Sequence, residues 1–319
     1  MYGLRVLSVG EWCACDLSDS ALSILSNILS NNAHTLESLT MPYLDSRIFP
    51  AILCPHVHTL RVDDLSTTAK ELARAFPHLR SLEVKTVVSS FIQSQSTLWP
   101  SLTNVTGSLW VIRALARHHA LRRVTIRRSQ YLVLSVHWLG PKDFRIVFSD
   151  AIFDCLLETL SLDLRVSALW EQGDFSSPLL SRLASSAPNL KYLAFCLFTT
   201  PKISEGLQMM ISPHIHALGN LRSLRYVALS MCSAVEFLCK YTGAFSPEQE
   251  RDAIVRHWFA MIPSLEYLEL EVKISEWPVT WWRRTDDHLR EESDGAGGVT
   301  AMVQISKEEG KAARERYWQ

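Results

Sequence analysis

Apolar and polar positions alternate in one pattern that recurs along the chain. The clearest copies are residues 76–84, 187–195 and 262–270, in which a proline is followed two residues later by L-x-x-L-x-L or a close variant. The last two apolar positions are two residues apart, so their side chains share one face of a short strand. A lone strand of this kind cannot bury its apolar face, whereas a stack of such strands backed by helices forms a continuous core. The pattern therefore predicts a repeated strand-and-helix unit.

Ten copies of the pattern, some of them loose, follow one another at spacings of 19 to 41 residues. Such lengths are typical of leucine-rich solenoids with insertions. We predict an α/β fold in which residues 1–275 form a leucine-rich-repeat solenoid (horseshoe), with parallel strands on the concave face and helices on the convex face. Residues 276–319 should form a C-terminal cap, made of a Trp-rich hairpin, a flexible acidic and Gly-rich loop and a short helix. The first apolar residues of the copies are Leu4, Leu36, Val57, Leu79, Leu102, Leu121, Leu157, Leu190, Leu224 and Leu265.

Helices are predicted between the strands, and prolines mark where they end. Proline recurs two residues before the first apolar strand position, as Pro77 does before Leu79. There it prevents the preceding helix from continuing into the strand, so we assign these prolines no binding role. Apolar positions at helical spacing predict helices over residues 67–76, 110–117, 179–184 and 247–261, among others.

The residues that alternate with the apolar strand positions are predicted to face the concave side and to bind a protein partner. Tyr192, Tyr226 and Tyr267 occupy the same position in three consecutive copies, so their rings should form a ladder across strands about 4.8 Å apart. Tyrosine is enriched among the anchor residues of interfaces. Cross-strand packing would explain the same ladder, and both interpretations stay open. The charged partner-binding candidates on this face are Arg61, Glu83, Arg123, Arg127, Asp163 and Glu269.

Composition narrows the class of partner and the compartment. The chain has 319 residues, of which 47% are hydrophobic and 20% are charged, with a formal net charge of -1. This balance gives no bulk electrostatic reason to bind nucleic acid or an anionic membrane. No apolar run approaches the roughly 18 residues that would span a bilayer, and the N-terminus does not resemble a secretory signal. The seven scattered cysteines fit reduced thiols in a cytoplasmic or nuclear protein.

Motifs that carry catalytic or cofactor chemistry are not found in the sequence. The chain has no phosphate-binding loop, dinucleotide fingerprint, nucleophile elbow or H-E-x-x-H motif. Histidine pairs such as His56 with His58 lack nearby ligands at metal spacing, and the Cys13–Cys15 pair lacks C-x-x-C spacing. We therefore expect a protein without catalytic residues, cofactor or metal. A remote alternative is an enzyme with a site in the insertion at residues 131–141.

The P-x-L-x-x-L-x-L copies, including Cys54-Pro55-His56-Val57, together with the Trp-rich end and drifting repeat lengths, resemble the leucine-rich-repeat portion of fungal F-box proteins. The resemblance implies substrate binding by the repeats, and docking of an F-box on a Skp-type adaptor of a cullin-RING ubiquitin ligase. No L-P-x-E-[IL] F-box signature is present. We therefore expect either a truncated gene model or a relative without an F-box. The alternative is an F-box-independent leucine-rich-repeat regulator or inhibitor.

Overall fold

The computed structural model describes part of the chain, and the backbone divides into two compact units. Unit 1 comprises Met1–Val136 and Ser149–Leu156, and unit 2 comprises His137–Phe148 and Leu157–Gln319. The insertion predicted at 131–141 and the Cys13–Cys15 pair lie outside the described residues. The described residues are 3–10, 19–45, 52–87, 98–127, 156–167, 176–199, 215–216, 218–233, 247–272, 278–285 and 302–319.

The described residues of unit 1 form six strands that pair in chain order, each parallel to the next. The register aligns equivalent positions of the repeated pattern, because Leu60 lies opposite both Leu39 and Leu82, and Val105 lies opposite Leu82 and Val124. The elements are β1 (Val6–Ser8), α1 (Asp19–Asn32), β2 (Ser38–Asp45), β3 (Thr59–Ser66), α2 (Ala69–Ala75), β4 (Ser81–Val87), β5 (Asn104–Gly107), α3 (Leu109–Ala116) and β6 (Arg123–Ile126).

In the part of unit 2 that the structure describes there are also six strands, of which the first four are parallel and the last two are antiparallel. Leu193 lies opposite Leu160 and Val227, and Leu268 lies opposite Val227 and Trp282. The elements are β7 (Thr159–Ser167), α4 (Ser176–Ser186), β8 (Tyr192–Thr199), β9 (Tyr226–Ser233), α5 (Pro247–Met261), β10 (Tyr267–Val272), β11 (Thr280–Arg284), β12 (Met302–Ile305) and α6 (Lys307–Trp318). Strands β11 and β12 pair antiparallel and α6 ends the sequence, in the region where a hairpin and a short helix are predicted. The acidic and Gly-rich loop lies outside the described residues, and the predicted division into a solenoid and a C-terminal cap stays a prediction.

The core of each unit is built from the apolar positions of the pattern. Leu60 and Val62 in β3 are fully buried, whereas Arg61 between them is exposed, as period-two alternation requires. Gly107 at the end of β5 lies so close to α3 that an added Cβ would be 3.3 Å from Val111 Cβ. The apolar side of this strand therefore packs against a helix.

Helix ends follow the predicted proline positions. The side chain of Thr68 accepts a hydrogen bond from Glu71 N, and the Glu71 side chain accepts from Thr68 N, which is a capping box that starts α2. The helix ends at Ala75, two residues before Pro77, and α5 likewise ends at Met261, two residues before Pro263. Proline therefore separates α2, α4 and α5 from the strands that follow them, as the sequence predicts, whereas α1 and α3 end without a proline before the next strand.

Each repeat enters its strand through the same backbone hydrogen bonds. In unit 1, His58 O accepts from Arg80 N and Ser81 N, both at 2.9 Å. In unit 2, Lys191 O accepts in the same way from Arg225 N at 2.9 Å and Tyr226 N at 3.0 Å. Successive repeats are therefore structurally equivalent where the chain enters each strand. The predicted α/β fold with mostly parallel strands is confirmed at this level.

Burial of the second apolar residue of a repeat predicts how much stability is lost when its side chain is truncated. We expect Leu60→Ala, at a fully buried site, to lower the free energy of unfolding by about 2–5 kcal/mol through lost packing and the cavity left behind. The matched variant Leu53→Ala removes the same atoms from a side chain that is 55% exposed and should cost less than about 0.5 kcal/mol. Urea titration followed by circular dichroism measures both. Equal destabilisation would contradict the assigned core.

Candidate functional site

Four of the sequence-predicted site residues lie together on the polar side of the unit 1 sheet. Arg61 in β3 lies opposite Glu83 in β4, and its Nε is 3.4 Å from Glu83 Oε1. Arg127, which follows β6, donates from Nη1 to the same carboxylate oxygen. Arg123 is partly exposed within β6. We name these four residues, with Asp63 and Lys85, the charged face.

The charged face is open to solvent, so its internal ion pairs can be replaced by ion pairs with a partner. Lys85 Nζ is 2.8 Å from Asp63 Oδ2, and the paired side chains of the face are between 22% and 47% exposed. Pairs of this exposure each contribute about 0–1 kcal/mol, because water and salt screen them. A partner with complementary charges can therefore replace them at little cost.

The three tyrosines predicted to form a ladder do so in unit 2. Tyr226 lies opposite both Tyr192 and Tyr267 in the strand register. The ring centroids of Tyr192 and Tyr226 are 5.3 Å apart with a 19° angle between the planes, and those of Tyr226 and Tyr267 are 6.1 Å apart at 20°. These are stacked arrangements, each worth about 0.5–1.5 kcal/mol beyond the buried area.

The terminal helix α6 covers this tyrosine ladder. The Trp318 ring meets Tyr192 edge-on with centroids 5.3 Å apart, and the Tyr317 ring lies 6.2 Å from Tyr226 and 6.0 Å from Tyr267. Tyr192 is consequently 2% exposed and Tyr226 1% exposed. The chain's own helix therefore occupies the surface that the sequence assigned to a partner, and partner binding by these tyrosines stays a prediction.

Glu269 is a buried carboxylate at the centre of the contact between α6 and the ladder. It is 8% exposed, its Oε2 accepts from the Tyr226 hydroxyl at 2.9 Å, and its Oε1 is 3.2 Å from Arg314 Nη1. Arg314 Nε also donates to the Tyr192 hydroxyl at 3.3 Å. A buried carboxylate is tolerated when charge and hydrogen bonds satisfy it, and α6 provides the charge.

Close approach of α6 depends on a glycine. A Cβ added to Gly310 would be 2.2 Å from Trp281 Cδ1 and 2.7 Å from Trp281 Cβ, so no other residue fits without displacing the helix. Two polar contacts flank this point, because Arg283 Nη1 is 2.6 Å from Glu309 Oε1 and the Tyr317 hydroxyl donates to Glu266 Oε2.

An open pocket of about 470 Å³ lies beside the ladder and is lined by three arginines. Arg284 Nη2 donates to Phe259 O at 2.6 Å and to Ile262 O at 3.1 Å, and Arg225 Nη1 donates to Ser264 O at 3.0 Å. Guanidinium groups in these positions satisfy backbone carbonyls at the end of α5 and in the turn that follows. Arg284 and Arg225 therefore stabilise the end of α5 and the turn that follows it.

The remaining chemistry-bearing residues form no further site in the described part of the chain. Asp163 lies in β7, where the register shifts between Leu162 and Arg165, and its side chain is outside the described set. Among described residues, no three His, Cys, Asp or Glu side chains lie close enough to hold a metal ion. His119 is buried, and its ring centroid is 6.1 Å from that of Trp99. None of the described helices has the length and apolar character needed to cross a membrane.

The residues of α6 that contact the ladder were missed by sequence reasoning, although a signal for them exists. Gly310, Ala313, Arg314, Tyr317 and Trp318 follow the spacing i, i+3, i+4, i+7, i+8, which places them on one helix face. The sequence predicts a short helix in this segment, without a packed face. The spacing predicts a face that packs, but not the partner of that face.

Comparison with other proteins gives no family assignment. No protein-family model matches the chain, and no curated protein matches it.

The hydrogen bond from the Tyr226 hydroxyl to Glu269 should contribute to the stability of the folded protein. Tyr226→Phe leaves a buried carboxylate short of one donor, and we expect it to lower the free energy of unfolding by about 1–3 kcal/mol. Tyr267→Phe is the matched control, because the Tyr267 hydroxyl has no hydrogen bond among the described residues, and should cost less than about 0.5 kcal/mol. Urea titration of both variants decides the point, and equal costs would count against a role for the bond.

Alkaline titration should report the burial of the ladder. Burial raises the pKa of Tyr192, of Tyr226 and of Tyr317 above the ordinary tyrosine value. Unfolded tyrosines lose their protons near pH about 10, so above this pH the unfolded state binds fewer protons than the folded state. The free energy of unfolding should then fall as pH rises.

The ultraviolet absorbance of phenolate measures this difference. We expect Tyr192, Tyr226 and Tyr317 to lose their protons at higher pH in the folded protein than in the urea-unfolded chain. A phenolate titration curve of the folded protein that coincides with that of the unfolded chain would show that Tyr192, Tyr226 and Tyr317 are open to water.

Proposed function

We propose that this protein is a non-catalytic protein-recognition scaffold with the architecture of a leucine-rich-repeat solenoid. The repeated strand entry, in which one carbonyl oxygen accepts from two consecutive amides in both units, supports equivalent repeats. The parallel strands within each unit, with helices between them in the chain, support the same architecture. A horseshoe with the strands on its concave face is part of this proposal.

The observation that carries the proposal is the charged face of unit 1. Its side chains stand on β3, β4 and β6 and just after β6, and carry both signs of charge. All of them except Arg123 engage one another in ion pairs that solvent reaches. Charges arranged in this way steer association and select among partners more than they add affinity. A protein surface with complementary charges is the partner that such a face fits.

The process we propose for this scaffold is substrate selection in a cullin-RING ubiquitin ligase. This step rests on the resemblance of the repeats to those of fungal F-box proteins, in which the repeats hold the substrate. Binding of a Skp-type adaptor would require an F-box outside the present sequence. An F-box-independent regulator or inhibitor would use the same charged face without the adaptor.

Neutralising the charged face tests the scaffold proposal. The variant Arg61→Ala with Arg123→Ala removes two positive charges from the face. The matched control Lys70→Ala with Arg117→Ala removes two positive charges from exposed positions in α2 and after α3. Quantitative affinity capture with mass spectrometry compares both variants with the wild-type protein.

We expect the face variant to capture specific binding proteins on the order of ten-fold less than the wild-type protein does. The control variant should capture them as the wild-type protein does. Identical binders for all three proteins would contradict the proposal. Repeating the capture with a version of the protein extended upstream separates the two processes. Recovery of a Skp-type adaptor with the extension alone indicates the ligase role, and a stable partner set without adaptor indicates an independent scaffold.

A further inference from the structure

The tyrosine ladder and Glu269 form a surface whose chemistry suits a cationic helix. The Glu269 carboxylate is nearly inaccessible to solvent, and its two oxygens are engaged separately, Oε2 by the Tyr226 hydroxyl and Oε1 by Arg314. Tyr226 belongs to the sheet, whereas Arg314 belongs to α6. Because a buried carboxylate is costly without a counter-charge, the sheet side of this surface is complete only when a helix brings a cation to it.

Some of the polar contacts that hold α6 in place are reached by water. Gly310 and Ala313 are the buried residues of the helix. The Arg314 side chain is 48% exposed in its pair with Glu269, and the Arg283 side chain is 43% exposed in its pair with Glu309. The Arg283–Glu309 pair is exposed on both sides, so it is weak and is screened by salt. A second helix that makes the same contacts can therefore compete with α6.

We propose that the tyrosine ladder is a docking surface for a helix of a partner protein, and that α6 is its resident competitor. The contacts of α6 define the partner's helix, counted from the position of Gly310. It carries small residues at the first and fourth positions, an arginine at the fifth, and aromatic residues at the eighth and ninth. The small residues allow close approach to Trp281, the arginine pairs with Glu269, and the aromatic pair packs on the ladder.

An occupant from the same chain sets the threshold for the partner. An intramolecular segment competes at an effective concentration on the order of millimolar, so the partner's helix binds when α6 is detached or outcompeted. This docking surface lies in unit 2 and does not depend on the charged face of unit 1. Failure of either proposal leaves the other standing.

The test uses the full-length chain and a fluorescent synthetic peptide with the sequence of residues 306–319. Gly310→Gln detaches α6 by the clash with Trp281, whereas Lys311→Gln places the same side chain at an exposed position of the helix. Fluorescence anisotropy should show that the Gly310→Gln chain binds the peptide at least about ten-fold more tightly than the wild-type and Lys311→Gln chains.

Two further substitutions test the recognition chemistry. Glu269→Gln, combined with Gly310→Gln in the chain, should weaken peptide binding on the order of ten-fold, and Arg314→Gln in the peptide should do the same. A peptide with Lys311→Gln is the control and should bind unchanged, because Lys311 is exposed in α6.

A second detached variant, Tyr317→Ala with Trp318→Ala, keeps the test decisive if Gly310→Gln does not fold, and circular dichroism reports folding. Peptide binding by a folded detached chain supports the proposal. Folded detached chains that bind no peptide would overturn it. A wild-type dimer in light scattering that dissociates on Gly310→Gln would identify the occupant as α6 of a second copy, which also overturns it.

Discussion

Alternation of side chains along a strand is the constraint on which the rest of this structure depends. Burying Leu60 and Val62 on one side of β3 leaves Arg61 and Asp63 on the other side, because successive residues point to opposite faces. The register then places equivalent positions of neighbouring strands side by side. The polar positions of successive repeats therefore form a row across several strands. The core and the functional surface are therefore two results of a single period.

The two units use the second side of their strands differently. Unit 1 places paired charges on this side, which buries very little apolar area and leaves the surface exposed to water. Unit 2 places tyrosines there, and their rings carry enough apolar area to hold a helix. Glu269 shows the consequence of that choice, because the same alternation that leaves Glu83 partly exposed in β4 leaves Glu269 buried in β10. What covers the strand decides the environment of the residue.

Local periodicity predicted the strands, the proline-limited helices and the stacking of Tyr192, Tyr226 and Tyr267, because each depends on spacing within or between equivalent repeats. It did not predict that α6 lies on the ladder. Tyr317 contacts Tyr226 across 91 positions of sequence (317 minus 226), and no periodic signal specifies which surface a helix face will choose. The positions of Arg61, Glu83 and Arg127 were predictable, but their sharing of one carboxylate oxygen depends on side-chain conformation.

The shortness of α6 has a further consequence for how this part of the molecule behaves. A helix of 12 residues is marginal in water by itself, and glycine at position 310 lowers its intrinsic helix propensity. The segment therefore gains most of its helical order from the ladder and loses it on release. Ordering of the C-terminus and burial of the tyrosines are thus one cooperative transition, in which conformational entropy gained by the freed segment offsets part of the cost of exposing the aromatic rings.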